Sequence, residues 1–211
     1  MAQKYDYTVL IGGVDMTAVV NKMGGPDIAQ EYLGDEWVLT RTQPKSAPEV
    51  PPEPKVYLEP LFEGVEIDPT DATTTDDDAK RVFSGGYDPA LLGVKSKPAS
   101  KTKTRVDKLV VNGKFADFLG KTASELEARR LQWEQGIKFC VDHKGKLRKG
   151  GYATFFVCTT DGEAVLEDLS NVFVAVVYFD GRGQLSVYRD SVSFDYTWYA
   201  GFGHRVVSRQ Q

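Results

Sequence analysis

Three segments in the last third of the chain constrain the fold most: YATFFVCTT (152–160), VFVAVVYF (172–179) and LSVYRDSVSFDYTWYA (185–200). Each is rich in Val, Phe and Tyr, the residues that fit a pleated, half-buried surface. The links between them are short and carry the turn pairs Asp161-Gly162 and Asp180-Gly181. Parallel strands need a crossover of a dozen residues or more, so such links imply antiparallel pairing. VFVAVVYF is apolar on both faces and belongs in the middle of a sheet, with one face covered by a helix.

The helix that could cover it starts at Thr122, which stands three residues before Glu125 in capping-box spacing. Ala123, Leu126, Arg130, Trp133 and Ile137 recur at steps of three or four and form one stripe, Arg130 contributing its alkyl stem. One principal helix over about 122–136 is expected, ending at Gly136, with IKFCV (137–141) as a following strand. Asn112-Gly113, after DKLVV, predicts another hairpin. The expected fold class is therefore α+β, mainly antiparallel β sheet with one principal helix and long extended arms or loops.

Those arms come from the middle of the chain. QPKSAPEVPPEP (43–54) holds five of the ten prolines, which favours an extended linker. EGVEIDPTDATTTDDDAK (63–80) carries seven acids before its first base, and KSKPASKTKTR (95–105) answers with Lys95, Lys97, Lys101, Lys103 and Arg105. Both lack the apolar content to form a core and read as exposed loops that order against another molecule. Residues 1–94 carry a net charge of −10 and residues 95–211 one of +6. The expected organisation is a β and short-helix segment over 1–42, an arm over 43–105, and an α+β core domain over 106–211.

Near the start, YDYTVLI (5–11) reads as a strand, MTAVV (16–20) as a second strand or short helix, PDIAQEYLG (26–34) as a helix of one or two turns, and EWVLTRT (36–42) as a strand. Gly12-Gly13 lacks the lysine and spacing of a phosphate-binding loop and is read as a hairpin turn. No apolar run reaches the length of a membrane span, and MAQKYDYTVL lacks the pattern of an export signal, so a cytoplasmic site of synthesis and no membrane partner are expected. Cys140 and Cys158 are then buried thiols.

No residue pattern points to catalysis or to a cofactor. Cys140 and His143 stand at ligand spacing, but zinc needs three or four ligands, and the chain has two cysteines and two histidines in all. Asp76, Asp77 and Asp78 do not follow the calcium-loop spacing. Two features point to partners instead. Lys144, Lys146, Arg148 and Lys149 in HKGKLRKGG form a second basic cluster, and Tyr196, Trp198, Tyr199 and Phe202 crowd SFDYTWYAGFG. Basic clusters beside exposed aromatics suit single-stranded nucleic acid, while an acidic arm facing a basic one suits contacts between subunits. The expected subunit interface comprises Asp76, Asp77, Asp78, Tyr196, Trp198, Tyr199 and Phe202.

YTVLIGGVDMTAVV (7–20), with Gly13, Val14, Asp15 and Thr17 in the turn, resembles the opening of bacteriophage tail and baseplate structural proteins. The resemblance covers 14 residues. It implies a β-rich virion component, made in the host cytoplasm, whose partners are copies of itself or other virion proteins. The expected function is thus a structural subunit of a multi-chain assembly, with nucleic-acid binding through residues 95–108 and 144–149 as the alternative.

Overall fold

A computed structural model describes the backbone of Thr8–Ile11, Val14–Asp15 and Thr40–Thr42, and the whole of residues 55–210. Two compact units divide the chain at Pro54. In the first, β1 (Thr8–Ile11), β2 (Val14–Asp15) and β3 (Thr40–Thr42) form a sheet in the order β2-β1-β3. Ile11 stands opposite Val14 in antiparallel register, while Gly12-Gly13, the expected turn, lies outside the described residues. Residues 16–39, with MTAVV and the expected helix, and the proline-rich stretch to Pro54 lie outside the described residues.

The second unit is built on seven strands: β4 (Leu58–Ile67), β5 (Gly86–Tyr87), β6 (Thr102–Leu109), β7 (Thr154–Thr159), β8 (Val172–Phe179), β9 (Leu185–Asp190) and β10 (Arg205–Arg209). Their spatial order is β4-β6-β10-β7-β8-β9-β5. β7–β8 and β8–β9 are antiparallel, as the short links require. The sheet as a whole is mixed, because β10 pairs with β7, and β5 with β9, in parallel. No local signal announces either pairing. The final strand, RVVSR, arrives after a long excursion and inserts between β6 and β7.

Both faces of the sheet are covered. Along β7, Phe156 and Cys158 enter one apolar cluster with Trp133, Ile137 and Phe139, while Phe155 and Val157 enter another with Phe115, Phe118 and Leu126. β8 divides the same way, Phe173, Ala175 and Val177 against Val172, Val174 and Val176. That is why these strands read as continuous apolar runs.

The expected single helix is two. α3 (Ala123–Arg129) follows α1 (Asp76–Val82) and the single-turn α2 (Phe115–Phe118); α4 (Trp133–Asp142) comes next. Thr122 and Glu125 do form the capping box at the start of α3. The helical path then breaks at Arg130, which is extended, and Leu131 donates its backbone N–H to Val157 O on β7. Gln132 restarts the helix, its backbone N–H donating to Gln135 Oε1. The break lets one stripe serve two cores: Ala123 and Leu126 are buried on the α3 side, Leu126 in the core with Phe155, while Trp133 and Ile137 reach the opposite core. IKFCV lies inside α4, not in a strand.

The extended arm expected over 43–105 is not an arm beyond Lys55. Residues 58–67 are edge strand β4, the acidic triplet opens α1, and Thr102 to Arg105 begin β6. Asn112-Gly113 is no hairpin turn either: Gly113 bridges to Trp198, and Asn112 accepts the Ala200 N–H. The aromatic segment 191–200 leaves the sheet after Asp190 instead of extending β9.

Polar residues at the start of α4 hold the middle segment against the core. Glu134 and Gln135 are buried, as is Gln132. The Glu134 carboxylate accepts the Ala72 N–H at 2.6 Å, the Thr74 N–H at 2.9 Å and the Thr74 hydroxyl at 2.5 Å, while its own N–H bonds Ser96 Oγ. Gln132 Oε1 accepts the Lys97 N–H, and Gln135 Nε2 donates to Thr102 Oγ1. The polar segment thus finds its partners within its own protomer, a solution that residue-by-residue hydrophobicity does not reveal.

Candidate functional site

The parallel pair β7–β10 sets Arg205 beside Thr154, so the residues that precede the two strands emerge side by side. Those residues are the basic loop 143–153 and the aromatic segment 194–204. Ala153 donates its N–H to His204 Nδ1 at 3.2 Å, and Arg205 N–H bonds Ala153 O at 3.1 Å. Arg148 ties the loops together. Its N–H bonds Thr154 Oγ1, its Nε donates to Phe202 O at 2.9 Å, and its guanidinium lies 5.0 Å from the Tyr152 ring centre.

A continuous path of rings follows. Phe194 stacks on Tyr196 at 6.1 Å; Tyr196 meets Trp198 edge-on at 5.0 Å; Trp198 meets His204 at 5.1 Å; and His204 meets Phe202 at 5.9 Å. Phe202 stacks on Tyr152 at 4.9 Å, with planes 13° apart, and touches Tyr199 edge-on. Four of these rings face solvent: Phe194 46%, Tyr196 44%, Tyr199 49% and Phe202 43% exposed. Trp198, expected at an interface, is a core residue instead. It packs on Phe115 and Phe155, and its buried indole N–H has no hydrogen-bond partner among the described residues. His204 is 4% exposed, and burial, with Arg148 nearby, lowers its pKa from 6.5 to about 4.

Two other cations of the second cluster also lie over rings. Lys146 Nζ stands 4.3 Å from the centre of Phe62, and Lys144 Nζ 5.6 Å from that of Phe179. Lys149 borders a shallow cavity with Gly150, Gly151 and Phe179. Each pairing is worth about 0.5–1 kcal/mol at such exposure.

The first basic run and the acidic triplet largely find partners within the protomer. Lys97 pairs with Glu163 at 2.5 Å, Lys101 with Glu66 at 2.7 Å, and Arg105 with Asp107 at 2.9 Å. Lys95 and Lys103 make no ion pair among the described residues, and their backbones bond Thr160 and Gln210. In the triplet, Asp78 caps α1 through Thr75 and pairs with Arg81, Asp77 pairs with Lys80, and Asp76 accepts the Gly93 N–H. Both cysteines are buried thiols, with Cys140 and Cys158 pushed well above the usual thiol range by burial.

No protein-family model, curated protein or solved structure matches the chain. Among the described residues there is no group of three or more His, Cys, Asp or Glu side chains that could hold a metal ion, and no helix long and apolar enough to cross a membrane.

The structure therefore joins two features that sequence reading kept apart, the cluster 144–149 and the aromatics 194–202. Sequence reading missed Tyr152, His204 and Arg205. Nothing local marks Tyr152 or His204, since their roles follow from the parallel register alone.

Proposed function

We propose that this chain is a structural subunit of a multi-chain assembly, and that its contact surface is the aromatic patch Phe194, Tyr196, Tyr199 and Phe202 with Arg148 at its rim. The observation that carries this reading is four large rings held open to water yet locked ring-on-ring. Such rings bury much area at little cost in side-chain entropy, and Tyr, Phe and Arg are enriched at interface centres. The proposed neighbour is a second copy of the same chain. The basic rim matches the net −10 of residues 1–94, so association of copies brings opposite charges together. The β1–β2 hairpin, on which the resemblance to phage tail proteins rests, supports placing that assembly in a virion or tail.

Sedimentation equilibrium tests it. The wild-type chain is expected to associate above its 23.4 kDa monomer mass. The pair Tyr199→Ala and Phe202→Ala, both exposed, is expected to weaken association about 1,000-fold, at roughly 2 kcal/mol per lost hot-spot ring. A wild-type chain that stays monomeric at high concentration defeats the proposal.

Arg148 over Tyr152, beside exposed Lys144 and Lys149, favours a second reading: stacking and phosphate contacts to single-stranded nucleic acid. On this reading, an oligonucleotide bound by wild type loses affinity steeply with salt. Neutralising Lys144 and Lys149 together then flattens the salt dependence by about two phosphate contacts. Absence of salt-sensitive binding rejects it.

A further inference from the structure

At the other end of β10 a cleft of about 470 Å³ opens between the sheet and the α2–α3 connection. Glu63, Arg105, Asp117, Gly120, Glu125, Arg129, Ser208 and Arg209 are among the residues that line it. Three of them are arginines, brought together from three elements. Arg105 on β6 is the register partner of Ser208 on β10, Arg209 follows Ser208, and Arg129 ends α3 above them. Gly120 makes the tight approach possible: its φ is +119°, and a Cβ there would lie 2.5 Å from Glu125 Cβ.

The charges in this cleft are unevenly committed. Arg105 Nε is held 2.9 and 3.0 Å from the two oxygens of Asp107, a fully buried carboxylate beneath it. The carboxylate of Glu125 is taken by the N–H groups of Lys121 and Thr122 and by the Thr122 hydroxyl. Asp117 accepts the Lys114 N–H and faces Lys121. Glu127, beside Arg129 in sequence, pairs with Arg130 instead. Glu63, exposed on edge strand β4, is the remaining acid at the rim. Arg129 and Arg209 therefore make no ion pair and donate no side-chain hydrogen bond among the described residues, although Arg129 is half-buried and burial lowers its pKa. Burial withdraws Arg129 from water with only the nearby charges of Asp107 and Glu125 to offset the cost, and its planar fork, free of side-chain hydrogen bonds among the described residues, matches a phosphate or carboxylate oxygen pair.

We propose that the Arg105–Arg129–Arg209 cleft is a binding site for a compact, multiply charged oxyanion, a phosphate or carboxylate group carried by a small molecule. Arg105, fixed by Asp107, is the rigid element of the site; Arg129 and Arg209 supply the free forks; Ser208 lines the floor. The site is separate from the aromatic patch and does not depend on the assembly role.

Isothermal titration calorimetry on the full chain, at constant ionic strength, tests the site with inorganic phosphate and with citrate against chloride. Saturable one-to-one binding of either anion is expected. Phosphate alone identifies a phosphoryl ligand, and citrate alone a carboxylate ligand. Arg129→Gln is expected to weaken binding at least 10-fold, while Arg129→Lys, which keeps the charge but loses the fork, falls between. Arg209→Gln provides the same reading from a solvent-exposed position should Arg129→Gln fail to fold. No binding beyond chloride, or binding unchanged in Arg129→Gln and Arg209→Gln, overturns the proposal.

Discussion

Glu134→Leu is expected to destabilise the chain by about 2–4 kcal/mol and to release the polar segment near residues 70–75 before the rest unfolds. The variant keeps an apolar side chain at a buried position but removes the acceptor for two backbone N–H groups and one hydroxyl. A donor left without its partner costs about 1–3 kcal/mol when buried and less when water can reach it, as at exposed Thr74. Ala72 adds to the effect. Its φ is 63°, a left-handed conformation that costs a non-glycine residue about 1 kcal/mol, and its bond to Glu134 helps hold it there. Glu134→Gln retains one acceptor oxygen and should lose about half as much. Urea unfolding gives the free energies, and amide hydrogen exchange shows where protection goes first. An unchanged midpoint with intact protection at Ala72 and Thr74 would show that α4 does not anchor the segment.

Acidification from pH 6.5 to about 4 is expected to remove roughly 3 kcal/mol of stability through His204 alone. Its folded pKa is depressed to about 4 by burial. The unfolded chain therefore takes up the proton first, and the stabilisation is complete above pH 6.5 and lost as pH falls through that window. The structural cause is local. Nδ1 accepts the Ala153 N–H, the ring sits among Tyr152, Phe155, Trp198 and Phe202, and Arg148 stands close by. Asp107 and Asp190, whose pKa values burial raises, work in the opposite sense. The contribution of His204 is thus read as the difference between wild type and His204→Gln. The two stability–pH curves should converge as pH drops. Parallel curves across the window would rule out a buried neutral imidazole.

Reading of the sequence went furthest where neighbours in the chain are neighbours in space. The apolar runs at 154–159 and 172–179 are strands, the Thr122–Glu125 cap opens a helix, and Thr8–Ile11 pairs antiparallel with Val14–Asp15. Each depends on a few consecutive residues and a short-range bond. Reading failed over residues 55–105, where a low apolar content suggested tethers. The acids there cap α1 and pair with Lys80 and Arg81 three residues on, and the backbone is taken up by buried Gln132 and Glu134 some 35 and 60 residues away. The segment's apolar residues Val65, Ile67, Ala79, Phe83 and Leu91 are buried in the core with Trp133 and Phe156, and the rest of the protein supplies the hydrogen-bond partners its polar groups need; composition registers neither.

The same division applies to the candidate site. The amino-acid order alone specified an α+β chain with a buried central strand, a basic cluster at 144–149 and an aromatic cluster at 194–202. Only the tertiary structure decided that these clusters meet, that Trp198 turns inward while Phe202 turns out, and that Lys97 and Lys101 have partners at home. The reason is the parallel pairing of β7 with β10, whose two strands lie some fifty residues apart. Strand propensity acts through a residue and its near neighbours, whereas register between distant strands is chosen by the packing of the whole sheet.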